Sequence, residues 1–275
     1  MNNPTRIYNK KTAIDSNEVL QFYQERLKVK DEIKQVMLKD NHQSLKDAQE
    51  RNVKERDKLY AKLKKHFGES FKLNVLDLGC GNGRWAQNLN DLDIIQTYDG
   101  VDFVAGFVDI CKNKFKDDSR FQFFQMRLTD LDLNVLKKEY DLILMCGVLV
   151  YINDSDIPNI LKTIDSLLKK GGVFYSEESV ATIENRMTLK NFYSEELKTH
   201  YNAIYRTPSE YEALFGQYIR DIEIFGGGNS CSTRKLAPEP KPTWQHGALP
   251  NYELLLDEKT GAHKETNTAA WVFIR

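Results

Sequence analysis

From residue 73 onward, short apolar runs bounded by turn residues alternate with stretches whose apolar positions fall three and four apart. The runs near 73–78, 97–102, 121–126, 140–146 and 172–177 predict strands, and 83–90, 104–115 and 155–169 predict helices. Strands separated by helices form a parallel sheet, and right-handed crossovers bring every loop that follows a strand to one edge. Upstream, residues 13–67 read as two helices. Asp15-x-x-Glu18 opens the first, with Val19, Leu20, Phe22, Tyr23, Leu27 and Ile33 as its apolar positions; Ser44-x-x-Asp47 opens the second, with Leu45, Ala48, Leu59 and Leu63. Residues 182–216 break the alternation and read as an inserted lid. Tyr218 to Phe225 predicts a sixth strand and residues 269–274 the last one. Between them, Gly226-Gly227-Gly228 and Pro238, Pro240, Pro242 and Pro250 predict a long surface loop over 227–267. The expected organisation is an N-terminal helical cap, 1–72, followed by one α/β domain, 73–275, that carries the lid and the loop.

The stretch that organises this pattern is Val75-Leu76-Asp77-Leu78-Gly79-Cys80-Gly81-Asn82-Gly83-Arg84-Trp85. A buried-type strand runs into three glycines at alternate positions, where the chain can take positive φ and a ligand can lie against the backbone. The N–H groups of the helix that follows carry partial positive charge and suit a carboxylate or phosphate. Asp102, ending the next strand-like run, is placed to accept both hydroxyls of a ribose. These residues predict a nucleoside-containing ligand. The sixth position of the dinucleotide fingerprint is Arg84 rather than glycine, which argues against a nicotinamide-linked oxidoreductase.

Composition narrows the setting. The 275 residues carry a net charge of −1 with acids and bases interspersed, so no electrostatic footprint for nucleic acid is visible. Cys80, Cys111, Cys146 and Cys231 lie far apart without a CxxC pair, against a zinc site or a disulfide framework. The N-terminus lacks a signal-peptide pattern, and the longest apolar run, around 142–152, is too short to span a bilayer. A cytoplasmic protein without membrane insertion is expected.

The glycine spacing, with Asp77 two residues ahead of Gly79, resembles motif I of the class I S-adenosylmethionine-dependent methyltransferases. Asp102 matches the ribose-binding acid of motif II. Asp141-Leu142-Ile143-Leu144-Met145-Cys146-Gly147-Val148-Leu149 resembles the motif IV strand, and Gly171-Gly172-Val173-Phe174-Tyr175 the turn and strand after the fourth helix. The resemblance implies a Rossmann-like fold with a seven-stranded, mostly parallel sheet, S-adenosyl-L-methionine as cofactor and S-adenosyl-L-homocysteine as product. Gly79, Cys80, Gly81 and Gly83 would floor the cofactor site, Asp102 and Phe103 would hold the ribose side, and Cys146 and Gly147 would close it. Tyr23 and Arg26 would cover the methionine end. The stretch Gln125-Met126-Arg127-Leu128 lacks the acid that often holds the adenine amine, which leaves backbone groups around Arg127 and Leu128, or Asp130, for that task. Cys146-Gly147-Val148-Leu149 differs from the motif of enzymes that methylate exocyclic base amines.

Outer stretches, among them residues 22–26, 147–154, 176–179, 185–189, 201–207 and 265–267, resemble a narrower group of bacterial methyltransferases of capsule and surface-glycan gene clusters, including capsular phosphoramidate methyltransferases. That resemblance implies transfer to an oxygen of a small polar or anionic acceptor, nucleotide-linked or phosphorylated, in capsule or surface polysaccharide biosynthesis. Glu178 is the candidate base or acceptor-orienting group, and Tyr151 lies beside it by position. Arg186, Tyr205 and Arg206 of the lid could hold an anionic acceptor, since guanidinium matches phosphate and carboxylate geometry. The alternatives are a small-molecule N-methyltransferase, a nucleic-acid methyltransferase and a non-catalytic protein that only binds the cofactor. No metal site is expected, and the oligomeric state is open.

Overall fold

The computed structural model describes residues 5–37, 44–137, 139–181, 185–194, 199–218, 222–223 and 266–275. In chain order the elements are β1 (Thr5–Tyr8), α1 (Ser16–Arg26), α2 (Glu32–Val36), α3 (Leu45–Phe67), β2 (Leu73–Leu78), α4 (Arg84–Asp91), β3 (Ile95–Asp102), α5 (Ala105–Lys114), β4 (Phe121–Gln125) and β5 (Tyr140–Cys146). After a 3-10 turn at Leu149–Tyr151 come α6 (Ile157–Leu167), β6 (Leu168–Ala181), β7 (Met187–Ser194), β8 (Thr199–Tyr205), α7 (Pro208–Tyr218), β9 (Ile222–Glu223) and β10 (Thr266–Ile274).

The main sheet has seven strands in the order β4-β3-β2-β5-β6-β10-β9. Its first five strands run parallel, and β10 pairs antiparallel with both β6 and β9. Val75 of β2 pairs with Tyr98 of β3 on one side and Leu142 of β5 on the other. The chain thus leaves β2 in one direction and returns to β5 in the other. In such a sheet the crevice beyond the strand ends at this reversal is where ligands bind.

Neighbouring residues of each strand serve opposite faces. Leu76, Ile143, Met145 and Phe174 pack with Ile160, Leu161 and Ile164 of α6 and with Phe215 of α7. On the other face Val75, Leu142, Leu144 and Tyr175 pack with Trp85, Val108 and, from the N-terminal segment, Leu59 and Leu63. Both faces of the sheet are covered, as a parallel sheet requires.

The observed elements differ from the expected ones in several places. Residues 13–67 form three helices rather than two, and α3 is a layer of the core rather than part of a cap: Leu59 and Leu63, four apart, are fully buried against Leu73, Val75 and Leu89. Its Ser44–Asp47 capping box is present, whereas the Asp15 side chain accepts from Asn17 N–H and Glu18 turns away to accept from Asn202. The described part of 182–216 holds the β7–β8 hairpin and, from Pro208, most of helix α7; β1 completes the hairpin into a three-stranded antiparallel sheet β1-β7-β8 in which Thr5 pairs with Lys190. Within the expected strand Tyr218–Phe225, β9 forms at Ile222–Glu223 against β10, whereas Tyr218 ends helix α7, whose Tyr211 and Phe215, four apart, are buried against Trp271. Residues 224–265, which hold Phe225 and most of the expected 227–267 loop, lie outside the described residues; Thr266 and Asn267 already belong to β10.

Candidate active site

The glycine turn connects β2 to α4. Gly79 has φ +81° and Gly81 +53°. A Cβ on Gly79 would come within 2.4 Å of Val148 Cγ2, and one on Gly81 within 2.7 Å of Val36 Cγ1, so both positions need glycine for backbone conformation and for space. Gly79 and Cys80 donate their N–H groups to the Val101 carbonyl at 2.8 and 3.0 Å, tying the turn to β3. Asp77 below the turn is buried, takes a hydrogen bond from the Tyr98 hydroxyl and is pushed by burial up to about 7.

Asp102 ends β3 beside this turn, 7 % exposed. Its Oδ2 accepts the Gly81 N–H and its Oδ1 the Val104 N–H, both at 2.9 Å. Burial raises its pKa to about 6, against the pull of those N–H groups. Each carboxylate oxygen keeps a lone-pair direction for a further donor, as two vicinal ribose hydroxyls would require.

A cavity of about 550 Å³ opens at the reversal point of the sheet. Gly79, Cys80 and Gly81 line it from the end of β2, and Cys146 and Gly147 from the end of β5. Asp102 and Phe103 follow from β3, and Met126, Arg127 and Leu128 from β4. The Arg127 guanidinium lies 5.8 Å from the Phe103 ring centre and donates to Ser16 Oγ at 3.3 Å across the cavity edge. Val19 and Tyr23 of α1, with Tyr151 and Ile152, line the cap side. The Tyr23 and Tyr151 rings meet edge to face at 5.3 Å, and their hydroxyls share a hydrogen bond. Burial raises the pKa of both phenols, so both are neutral donors at physiological pH.

Six expected site residues are placed elsewhere. Gly83 caps α4 and does not line the cavity. Arg26 points away, donating to the Lys34 carbonyl. Glu178 is fully buried behind the cavity wall, where its carboxylate accepts the N–H groups of Val148 and Leu149 at 3.2 and 3.0 Å. Arg206, also fully buried, donates to the carbonyls of Leu149 and Ile152 at 2.7 Å each and to Asp154 at 2.8 Å. Arg186 joins it on Asp154 at 2.8 Å and reaches Glu210 at 3.2 Å. Tyr205 hydrogen-bonds Tyr201 on β8 of the three-stranded sheet. The polar residues expected around an acceptor therefore hold the 147–154 turn, one side through its N–H groups and the other through its carbonyls. Glu178 and Arg206 are corrected from acceptor contacts to supports of that turn.

Ser16, Asn17, Val36, Arg84, Trp85 and Met126 line the cavity without having been singled out in the sequence. Arg84 and Trp85 follow the last glycine directly, and that adjacency was the available signal. Val36 arrives through α2, whose Gln35 accepts from Asn82 at 3.1 Å.

The doubly wound sheet, the glycine turn and the carboxylate beside it define a Rossmann-like fold of the class I methyltransferase type. Residues 76–174 match the family model described as a methyltransferase domain. A curated relative, the demethylmenaquinone methyltransferase of Lactococcus lactis subsp. lactis, is 29 % identical over 122 residues, 44 % of this chain and 48 % of that protein. The chain thus spans about half the length of the curated relative it matches. Among solved structures, a SAM-dependent methyltransferase of Leishmania major aligns with a TM-score of 0.59 at 15 % identity, covering 94 % of this chain and 82 % of that one. The N-methyltransferase NodS of Bradyrhizobium japonicum, solved with S-adenosyl-L-homocysteine, aligns with a TM-score of 0.55 at 13 % identity, covering 94 % and 98 %. These likenesses establish the fold.

Proposed function

We propose that the chain is an S-adenosylmethionine-dependent methyltransferase acting on a small polar or anionic acceptor. The observation that carries this reading is the meeting of the glycine turn with the buried Asp102 carboxylate at the sheet's reversal point, inside a cavity of about 550 Å³. The residues fit the cofactor. Asp102 receives the ribose hydroxyls, Phe103, Met126 and Leu128 offer apolar surface to the base, and Gly79 to Gly81 allow close approach of the backbone. When bound, the cofactor supplies a methyl group already activated on a sulfonium. What remains for the protein is to align the acceptor and exclude water. Val19, Val148 and Ile152 give the cap side its apolar wall, and Tyr23 and Tyr151 offer hydroxyls to orient a polar acceptor.

Glu178 supports the turn instead of entering the cavity, and the two phenols are held neutral. This favours an acceptor atom that arrives with a free lone pair: a phosphoryl, phosphoramidate or carboxylate oxygen, or an uncharged amine. An alcohol would call for a base beside it. Together with the resemblance to surface-glycan methyltransferases, this supports an anionic oxygen acceptor from cytoplasmic capsule or surface-polysaccharide assembly, with an amine acceptor second. Labelled-methyl transfer to phosphorylated and unphosphorylated sugars, and to amino sugars, tests the reading. Label in the phosphorylated series alone is expected; label only in neutral hydroxyl sugars would reject it.

A further inference from the structure

We propose that Arg84 receives the carboxylate at the amino-acid end of the cofactor, and that Glu55 and Asn52 of α3 aim it there. This rests on the S-adenosylmethionine reading above. The order β4-β3-β2-β5 sets out the cavity in a line: Leu128 after β4, Asp102 at the end of β3, Gly79 after β2, Cys146 at the end of β5. Neighbouring strands lie about 4.8 Å apart, so a ribose held by Asp102 has one neighbour toward Phe103 and Leu128 and the other toward the glycine turn and β5. The first side is the apolar one and takes the base. The amino-acid portion then extends toward Gly79 and Cys146, the end at which Arg84 opens α4.

Arg84 and Arg127 are the arginines that line this cavity, and they stand at opposite ends. Arg127 belongs to the β4 end. Arg84 is held fast: its side chain is 16 % exposed, its guanidinium lies 4.8 Å from the Trp85 ring centre, and Nη1 donates to Glu55 Oε2 at 2.7 Å and Asn52 Oδ1 at 3.0 Å. Asn52 is itself fixed by a reciprocal pair of 2.9 Å bonds with Asn88 of α4. Among the described residues Nη2 and Nε of Arg84 have no hydrogen-bond partner. A guanidinium has five N–H donors in a planar fork, enough to serve one carboxylate from the protein and a second from a ligand. Holding the fork by one edge leaves the other directed and costs the ligand little ordering entropy. Glu55 and Asn52 are thus positioning residues, and they come from a helix outside the 76–174 methyltransferase match.

The test is calorimetric and needs no acceptor. S-adenosylhomocysteine and 5′-methylthioadenosine share the adenosyl thioether, and the second lacks the amino-acid end. In Arg84→Met, affinity for S-adenosylhomocysteine should fall about tenfold or more, the scale of a lost charge-assisted pair, while affinity for methylthioadenosine stays within about twofold. Glu55→Gln should show the same selectivity at roughly threefold, because the fork is retained but less firmly aimed. A parallel fall for both ligands would make Arg84 a purely structural residue and overturn the assignment, as would unchanged affinity for both. Failure of the unmodified protein to bind either compound would overturn the cofactor reading itself, and that outcome is read without any variant.

Discussion

Glu178→Gln separates a supporting carboxyl from a catalytic one, and its effect should depend on pH. Glu178 is fully buried, and burial raises its pKa from 4.5 to about 8, opposed by the Leu149 and Val148 N–H groups and by Arg206. The native carboxyl therefore keeps a proton that the unfolded chain surrenders between those two values. Its contribution to stability is complete below pH 4.5 and is lost as pH rises through 8. The span of about 3.5 pH units at 1.36 kcal/mol each sets a ceiling of about 5 kcal/mol. Glutamine does not titrate. Its carbonyl can accept one of the two turn N–H groups but its amide nitrogen cannot accept the other, a fixed cost of about 1–3 kcal/mol. Urea unfolding followed by tryptophan fluorescence should show the wild type ahead by that amount near pH 5, and the gap should close or invert by pH 9. Binding of S-adenosylhomocysteine should be retained. Parallel stability profiles would refute the burial argument. A variant with an unaltered profile that binds cofactor yet transfers no methyl group would return Glu178 to the chemistry.

Asp102→Ala removes a carboxylate that serves both the glycine turn and the proposed ribose, and calorimetry should show S-adenosylhomocysteine binding weakened by about 1–3 kcal/mol; undiminished affinity would place the ribose elsewhere. In the unmodified protein that affinity should decline as pH drops through about 6, since a proton on Asp102 removes an acceptor the hydroxyls need. Leu63→Ala cuts a fully buried contact between α3 and the sheet and should cost about 2–5 kcal/mol in global unfolding; a loss confined to a separate, early transition would make 45–67 a detachable cap after all. Arg206→Met strips donors from two buried carbonyls and from Asp154, for an expected loss of about 3–5 kcal/mol by thermal unfolding. A near-neutral result would show that water can replace the guanidinium there.

What the sequence discloses here is whatever neighbours along the chain decide among themselves. The turn after β2 was legible because three alternate glycines have few other uses, and Asp102 because one crossover fixes how far on the next strand ends. The sheet was legible for the same reason: each strand's apolar run is set by burial on both faces. The 147–154 turn depends on residues far away in the chain. Arg206 reaches Leu149, 57 residues earlier, and Arg186 reaches Asp154, 32 residues earlier. An arginine pair in a polar insertion suits an anionic ligand and suits orphaned carbonyls equally well. The choice belongs to the carbonyls of the buried 3-10 turn: the Leu149 oxygen accepts the Ile152 N–H and has a second lone pair that Arg206 fills, and Arg206 serves the Ile152 carbonyl beside it. The hairpin was hidden in a related way. Met187, Thr188 and Leu189 are all buried in β7, so the strand lacks the simple in-out alternation of a half-exposed edge, and its partner β1 lies about 180 residues upstream. Arg84 shows the converse: adjacent to the glycines and readable in principle, it gains meaning only when α3 folds back and fixes one edge of its guanidinium.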